Sequence, residues 1–227
     1  MNFAPWNTGS RIKAVVGHYG SGKTEFSLNM ALAAKAAGRR ALVADMDIVN
    51  PFFRSAEQGE RLKRAGVELI APPYALTGVD LPVLSPEIYA IFEQPERFCV
   101  LDVGGDDAGA AALGGLSGRL AAQGADLYYV VNPYRPFSNT VERVMEMMER
   151  IQRRARLQVT GLVNNANLGE ETGAEELLEG RALLEKVSRR CGVPVVCECG
   201  FEGVLQQLPP GPPSFPIARY LMPEWLL

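Results

Sequence analysis

The junction between an apolar run and a helical run near the N-terminus constrains this chain more than any other feature. Residues 11–16 read RIKAVV, followed by Gly17-His18-Tyr19-Gly20-Ser21-Gly22-Lys23-Thr24 and then an alanine-rich stretch typical of a helix. These eight residues fit the pattern GxxxxGK[ST], in which backbone N–H groups surround phosphate groups and the following helix directs its N-terminus at them. Because both flanking elements are present, the junction predicts a phosphate-binding loop rather than a chance match in a glycine-rich turn.

Beyond this junction, short apolar runs alternate with helical stretches along almost the whole chain. We predict strands at 11–17, 40–46, 67–71, 97–103, 126–132, 157–164 and 193–199. Helices are predicted at 22–37, 138–155 and 173–190, the last after the capping-box pattern Thr172-x-x-Glu175, with weaker predictions at 51–65, 85–94 and 108–123. Strands that are apolar throughout and separated by helices are typical of parallel sheets covered on both faces.

The alternation therefore predicts an α/β fold. We expect one P-loop nucleotide-binding domain over residues 1–227, with a mostly parallel sheet of about seven strands and helices on both faces. Residues 1–10 are expected to be an N-terminal extension, and residues 201–227 a C-terminal tail that packs on the domain.

Composition narrows the classes of function. The 227 residues are 47% hydrophobic and carry a net charge of -3, which argues against nucleic-acid binding through bulk positive charge. No segment approaches the roughly 18 apolar residues of a membrane helix, and no secretory signal is recognisable. Four cysteines without a disulfide pattern suit a reducing compartment, so we expect a cytoplasmic protein with no membrane span.

Two predicted strands end in carboxylates. The strand at 40–44 runs into Asp45-Met46-Asp47, and the strand at 97–101 runs into Asp102-Val103-Gly104-Gly105. Ligands of parallel α/β sheets bind at this carboxyl edge, where a carboxylate can hold Mg²⁺ or orient an attacking water. An aspartate at a strand end can also simply cap the next turn, but the joint occurrence with the loop favours a functional role.

These segments, GHYGSGKTE, DMDIVNP and LDVGGDD, resemble the MinD/ParA-related division of P-loop nucleoside triphosphatases, which includes the nitrogenase iron protein and the cobyrinate amidases. Within it, the chain is similar to bacterial ATP-binding proteins labelled CobQ/CobB/MinD/ParA nucleotide-binding domains. The likeness extends to VVNPYRPFS at 130–138 and TGLVNNANLGEET at 160–172. It implies ATP and Mg²⁺ as cofactors.

The resemblance also implies roles for individual residues. Lys23 matches the lysine that contacts the β- and γ-phosphates, and Asp47 the carboxylate that positions the hydrolytic water, with Asp45 beside it. Thr24, Asp102 and Asp47 match the residues around the metal ion. Catalysis is therefore expected of Lys23, Asp47 and Asp45.

Further residues are implied to contact the nucleotide. Gly105 matches a glycine that senses the γ-phosphate, and Asn165 an asparagine that reads the adenine edge, with Asn164 as the competing candidate. The remaining expected contacts are those of the loop itself: Gly17, His18, Tyr19, Gly20, Ser21, Gly22, Lys23, Thr24 and Glu25.

One position departs from the pattern. MinD and ParA proteins usually carry a second lysine after the first glycine of the loop, which reaches the partner's nucleotide across a dimer interface; this chain has His18 there. A protonated histidine can donate a similar contact, but histidine is mostly neutral at pH 7. A homodimer and a role for His18 in loop packing both stay open.

Three functions compete. The first is an ATPase switch of low turnover, in which ATP and Mg²⁺ order residues 45–53 and 102–109 and an unknown protein partner reads the difference. The second is an ATP-dependent small-molecule ligase or kinase related to dethiobiotin synthetase or the cobyrinate amidases. The third is a metallochaperone GTPase, suggested by GSGKT, although the guanine-reading Asn-Lys-x-Asp motif is missing. Cys197 and Cys199 suggest two metal-binding thiolates or, alternatively, small buried residues of an apolar strand.

Overall fold

A computed structural model describes residues 3–7, 9–47, 56–71, 85–105 and 107–221, and the side chains of these residues other than 56–58 and 107. The strands in these ranges are β1 (Ile12–Val16), β2 (Arg40–Met46), β3 (Glu68–Ile70), β4 (Arg97–Val103), β5 (Asp126–Val131), β6 (Gly161–Asn164), β7 (Val195–Gly200) and β8 (Ser214–Pro216). They form one sheet in the order β3-β2-β4-β1-β5-β6-β7-β8, and every neighbouring pair is parallel. The predicted α/β architecture is confirmed.

The sheet is covered on both faces because alternate residues of its central strands point to opposite sides. In β1, Ile12, Ala14 and Val16 pack in one core, whereas Val15 packs in the other. The helices that cover the sheet are α1 (Lys23–Ala36), α2 (Ala56–Arg64), α3 (Ala90–Glu93), α4 (Asp107–Gly115), α5 (Ser117–Ala122), α6 (Val141–Ala155), α7 (Ala174–Cys191) and α8 (Glu202–Leu205). Helices α1 and α2 supply residues to the Val15 side, and α4 to α7 supply residues to the other.

Helix boundaries differ from the predictions where local hydrogen bonds decide them. Helix α6 begins three residues later than predicted because the Thr140 hydroxyl accepts a hydrogen bond from the Arg143 N–H (3.3 Å) and caps the helix. The predicted capping box of α7 is wrong by one residue. Glu176, not Glu175, accepts the N–H of Gly173 (2.8 Å), while the Thr172 hydroxyl donates to the Gly169 carbonyl in the preceding turn (2.8 Å).

The weaker helix predictions are met in part. Residues 85–94 form a 3-10 turn, Pro86–Tyr89, that continues into α3, and residues 108–123 divide into α4 and α5 at Leu116. Helix α2 falls within 51–65, of which 51–55 lie outside the described residues. No helix in the described ranges combines the length and apolarity that crossing a bilayer requires.

Strand β8 lies in the segment that was predicted as a tail. It is three residues long, ends at Pro216 and pairs only with β7, so the proline occupies the edge of the sheet, where strands tolerate it. Residues 217–221, which follow β8, are here called the C-terminal strap. Its first residue, Ile217, donates its backbone N–H to the Gly200 carbonyl (3.0 Å).

Candidate nucleotide-binding site

Residues 17–22 connect the central strand β1 to α1 at the carboxyl edge of the sheet. Gly20 and Gly22 have φ of 74° and 86°, in the left-handed region that side chains disfavour. At Gly17 a Cβ atom would lie 2.7 Å from the Ser21 Oγ and would also collide with the Val130 carbonyl of β5. Backbone conformation and close packing against β5 therefore explain why the motif has glycines at these positions.

Lys23 lies folded across this loop. Its ammonium donates to the His18 carbonyl (3.2 Å), and the residue is 8% exposed. A Cβ atom at Gly105 would lie 2.9 Å from the Lys23 Nζ and 2.9 Å from the Tyr19 backbone nitrogen. The segment after β4 thus contacts both the lysine and the loop, and only glycine fits at that contact.

Asp102, at the end of β4, is the centre of a buried oxygen cluster. The Ser27 hydroxyl donates to its Oδ1 (3.0 Å), and the Thr24 side chain also hydrogen-bonds to it. Burial, and to a smaller extent the charge of Asp47, raises the pKa of Asp102 to about 6, although the hydrogen bonds and the charge of Lys23 lower it. Hydroxyl and carboxylate oxygens are the ligands that Mg²⁺ prefers, and a cation there would favour the ionised carboxylate, so the cluster fits this ion.

Sequence reasoning missed Ser27 in this cluster. It lies one turn after Lys23 and Thr24 on the first turns of α1, and that spacing places it on the same helix face. The spacing was the signal that could have identified it.

Asp45, near the end of β2, and Asp47, just after it, have different positions. The Asp47 carboxyl lies against Gly104, where a Cβ atom would be 3.1 Å from the Asp47 Cγ. Asp45 is 2% exposed and its Oδ1 accepts the Asp47 N–H (2.9 Å). Asp45 therefore shapes the turn that carries Asp47. Residues 48–53 and 106 of the predicted switch segments lie outside the described residues.

A cavity of about 140 Å³ lies on the β5–β7 side of the loop. Asn165 lines it and donates its Nδ2 hydrogen to the Ser21 carbonyl (2.7 Å). The Asn164 amide instead donates to the Leu177 carbonyl (2.9 Å) inside the fold. Of the two candidates, only Asn165 lies at the loop. The other lining residues are Gly20, Ser21, Gly22, Glu25, Asn132, Arg135, Asn167, Gly169, Phe201, Ile217 and Arg219.

Glu25 holds the C-terminal strap. Its two carboxylate oxygens accept the N–H groups of Tyr220 (2.6 Å) and Leu221 (3.1 Å), and burial raises its pKa. Asn29 donates to the Ala218 carbonyl (2.9 Å) and accepts the Ala218 N–H (2.8 Å). Glu25, predicted as a nucleotide contact, lines the cavity while its carboxylate binds the strap.

His18 and Tyr19 lie on the other rim of the loop. Tyr19 is 73% exposed and Phe137 57% exposed, and the His18 ring centroid lies 5.4 Å from that of Phe137. The His18 Nδ1 lies 2.9 Å from the Tyr19 carbonyl oxygen, to which it can donate. A second cavity, of about 500 Å³, is lined by Val16, Gly17, His18, Tyr19, Gly104, Gly105, Ala108, Ala110, Phe137, Met147, Arg150 and Ile151.

Arg135, in the loop after β5, contacts the phosphate-binding loop from outside. Its Nε donates to the Gly20 carbonyl (3.0 Å), and a Cβ atom at Gly20 would lie 3.3 Å from that nitrogen. The Arg135 side chain therefore occupies the space that a side chain at position 20 would need.

Cys197 and Cys199 are buried in the core on the α1 side, and burial raises the pKa of the Cys197 thiol well above its usual value. A neutral thiol is a poor metal ligand. Within the described ranges, no group of three or more His, Cys, Asp or Glu residues is arranged to hold a metal ion.

An open parallel sheet whose central strand runs through a glycine-rich loop into a helix defines a P-loop nucleotide-binding protein. The family model for the CobQ/CobB/MinD/ParA nucleotide binding domain matches residues 14–196, and the chain belongs to this family. The predicted family is confirmed. None of the curated proteins matches the sequence.

Several solved structures share the fold. FtsY from Thermotoga maritima is 17% identical, with a TM-score of 0.57 over 89% of this chain and 65% of its own. Chloroplast FtsY from Physcomitrella patens is 18% identical (TM-score 0.56; 84% and 58%), and FtsY from Mycoplasma mycoides is 16% identical (0.53; 82% and 58%). The chain spans about three-fifths of the length of these structures. At this identity the likeness concerns the fold alone.

Proposed function

We propose that the protein binds ATP with Mg²⁺ and hydrolyses it slowly, as a switch whose two states a partner protein reads. The observation that carries this proposal is the meeting of Thr24, Asp102 and Asp47 beside the loop, with Gly105 against Lys23. These residues come from three segments, the start of α1, the end of β2 and the end of β4, and together they supply the groups that phosphoryl transfer to water requires.

The chemistry divides among these residues. Lys23 would neutralise the β- and γ-phosphates, while Thr24 and Asp102 would hold Mg²⁺, which would offset charge on the phosphate oxygens. Asp47 orients the water whose oxygen forms the new bond to the γ-phosphorus as the bond to the β-phosphate oxygen breaks. Asp45 positions Asp47 through the backbone hydrogen bond. The Gly105 segment responds to the γ-phosphate because it touches the lysine that would bind it.

Calorimetry with Mg²⁺ and ATP, GTP or ADP tests binding and base preference together. We expect ATP to bind more tightly than GTP and Lys23→Ala to lose affinity at least a hundredfold.

Asp47→Asn should keep ATP affinity within about threefold and lower hydrolysis about a hundredfold, as expected when a water-orienting group is lost. The proposal fails if wild type binds no nucleotide or if Lys23→Ala behaves like wild type. Preference for GTP would move the protein to the GTPase hypothesis.

The second cavity favours one alternative, an ATP-dependent ligase or kinase. Its volume of about 500 Å³ is within the range of small-molecule sites, and it opens at Gly104 and Gly105, next to the expected position of the γ-phosphate. Phosphorus NMR of a reaction with a metabolite extract separates the two functions. A new phosphoester or acyl-phosphate signal supports the alternative, whereas inorganic phosphate alone supports the switch.

A further inference from the structure

The two halves of the site lie on opposite sides of the central strand. Asp102 lies near the end of β4 and Gly105 just after it, on one side of β1, whereas Asn165 and Phe201 follow β6 and β7 on the other. With the phosphates in the loop and Mg²⁺ beside Asp102, the nucleoside would lie on the β6–β7 side. The cavity of about 140 Å³ lies there.

This cavity is suited to part of a ligand. Complete small-molecule sites usually measure about 300–1,000 Å³, so 140 Å³ corresponds to one ring system. Phe201 and Ile217 supply apolar surface, and Asn165 and Arg219 supply polar groups. That combination suits a flat heterocycle with polar edges, because a guanidinium both donates hydrogen bonds and stacks on aromatic faces.

Arg219 reaches the cavity because the strap is fixed on both sides of it. Asn29, which is 6% exposed, pairs with both backbone groups of Ala218, and Glu25 accepts the N–H groups of the two residues after Arg219, Tyr220 and Leu221. Glu25 and Asn29 lie one turn apart on α1, the helix that begins at Lys23. The strap is therefore attached to the same helix as the phosphate-binding residues.

We propose that Arg219 contacts the nucleoside part of the bound nucleotide and that Asn29 is the positioning residue that holds it there. This inference rests on the proposed nucleotide binding. The ion pair that Arg219 forms with Glu170 (3.8 Å) does not account for its position, since the Glu170 side chain is 88% exposed and such pairs stabilise little.

Inorganic tripolyphosphate provides the decisive comparison, because it has the phosphates of ATP and no nucleoside. Calorimetry with Mg²⁺ should show that Arg219→Ala weakens ATP binding about tenfold, the usual effect of losing a hydrogen bond from a charged group. Tripolyphosphate affinity should stay within twofold, which also shows that the loop is folded. Glu170→Gln is the matched control and should leave ATP affinity within twofold.

The positioning role is tested by a double-mutant cycle. Asn29→Ala should weaken ATP but not tripolyphosphate binding, and Asn29→Ala with Arg219→Ala should bind ATP no worse than Arg219→Ala alone. Where Asn29→Ala does not fold, Asn29→Ser, which is too short to pair with both backbone groups of Ala218, replaces it in the same cycle.

Four outcomes overturn the inference. These are unchanged ATP affinity in Arg219→Ala, equal losses for ATP and tripolyphosphate, a Glu170→Gln loss as large as that of Arg219→Ala, and additive losses in the cycle. Failure of wild type to bind ATP would instead overturn the proposed function, so the two failures are distinguishable.

Discussion

At the scale of single residues, close contacts at two glycines explain much of the geometry of the site. Gly105 touches the Lys23 ammonium and the Tyr19 backbone, and Gly104 touches the Asp47 carboxyl. Both glycines follow β4, so the segment after this strand reaches the lysine and the aspartate together. A change of one methyl group there affects the phosphate-binding loop directly.

We predict that Gly105→Ala lowers ATP hydrolysis at least tenfold while the protein stays folded. The added Cβ would lie 2.9 Å from Tyr19 backbone atoms, so either the loop or the segment after β4 must move. Gly118→Ala is the matched control: it lies in α5, where the added Cβ would have no atom within 4 Å beyond its own helix backbone and chain neighbours, and it should raise the free energy of unfolding by about 0.5 kcal/mol. A phosphate-release assay measures the effect, and equal rates for the two variants would contradict the prediction.

At the scale of elements, a buried ion pair joins helix α7 to β7, the strand next to the edge strand β8. Arg181 donates to both carboxylate oxygens of Glu198 in β7 (2.5 and 3.0 Å) and to the Pro209 carbonyl (3.1 Å). Arg181 is 7% exposed and Glu198 is 1% exposed. The pair therefore fixes both β7, which precedes Phe201, and the proline-rich segment that leads into β8.

We expect Arg181→Met to lower the free energy of unfolding by about 3 kcal/mol or more, because it leaves the buried Glu198 carboxylate without its cation. The double variant Arg181→Met with Glu198→Met should lose less than the single one, since no charge remains buried. Urea unfolding followed by circular dichroism measures both. Arg189→Met, at an exposed ion pair on the same helix, should stay within about 0.5 kcal/mol, and a similar loss there would refute the explanation.

Elements were predictable where a local pattern decides them. The apolar runs of β2 and β4 were predicted with their observed bounds, because each strand is buried along almost its whole length. Strand β8 was missed since it is short, follows Pro212 and Pro213 and ends in Pro216. The tail was expected to pack on the domain, but the partners of the strap, Glu25 and Asn29, were not predicted because they lie about 190 residues earlier in the chain.

Like the helices and strands, the site was predictable only where a local sequence pattern decides it. The loop and the strand-end aspartates are local signals, whereas the choice between Asn164 and Asn165 depends on which side chain faces α7. Only tertiary packing decides that. The specific roles of these residues stay predictions.

At the scale of the whole molecule, the two cores can be observed separately through the cysteines. Cys99 lies in the core on the α4–α7 side, and Cys197 and Cys199 lie in the core on the α1 side. Burial raises the pKa of Cys99 to about 11 and raises that of Cys197 strongly, so both are protonated thiols near neutral pH. Cys191, at the end of α7, is only half-buried.

We predict that an aromatic disulfide reagent at pH 8 labels one thiol of the native protein rapidly and the other three only after unfolding. Cys191→Ser should abolish the rapid phase, which identifies the thiol. Absorbance of the released thiolate measures the stoichiometry. A second rapid equivalent in wild type would show that one of the cores opens without global unfolding.

The attachment of the strap to α1 has a consequence for synthesis on the ribosome. Asn29 emerges about 190 residues before Ala218, its partner. At about 5–20 residues per second, roughly 10–40 s separate the two. At the end of that interval, once β4 to β7 have emerged, the nascent chain has its phosphate-binding loop but still lacks one wall of the adjoining cavity. Retention of ATP by the growing chain is expected to lag behind its capacity to bind inorganic polyphosphate, until the last strand and the strap dock.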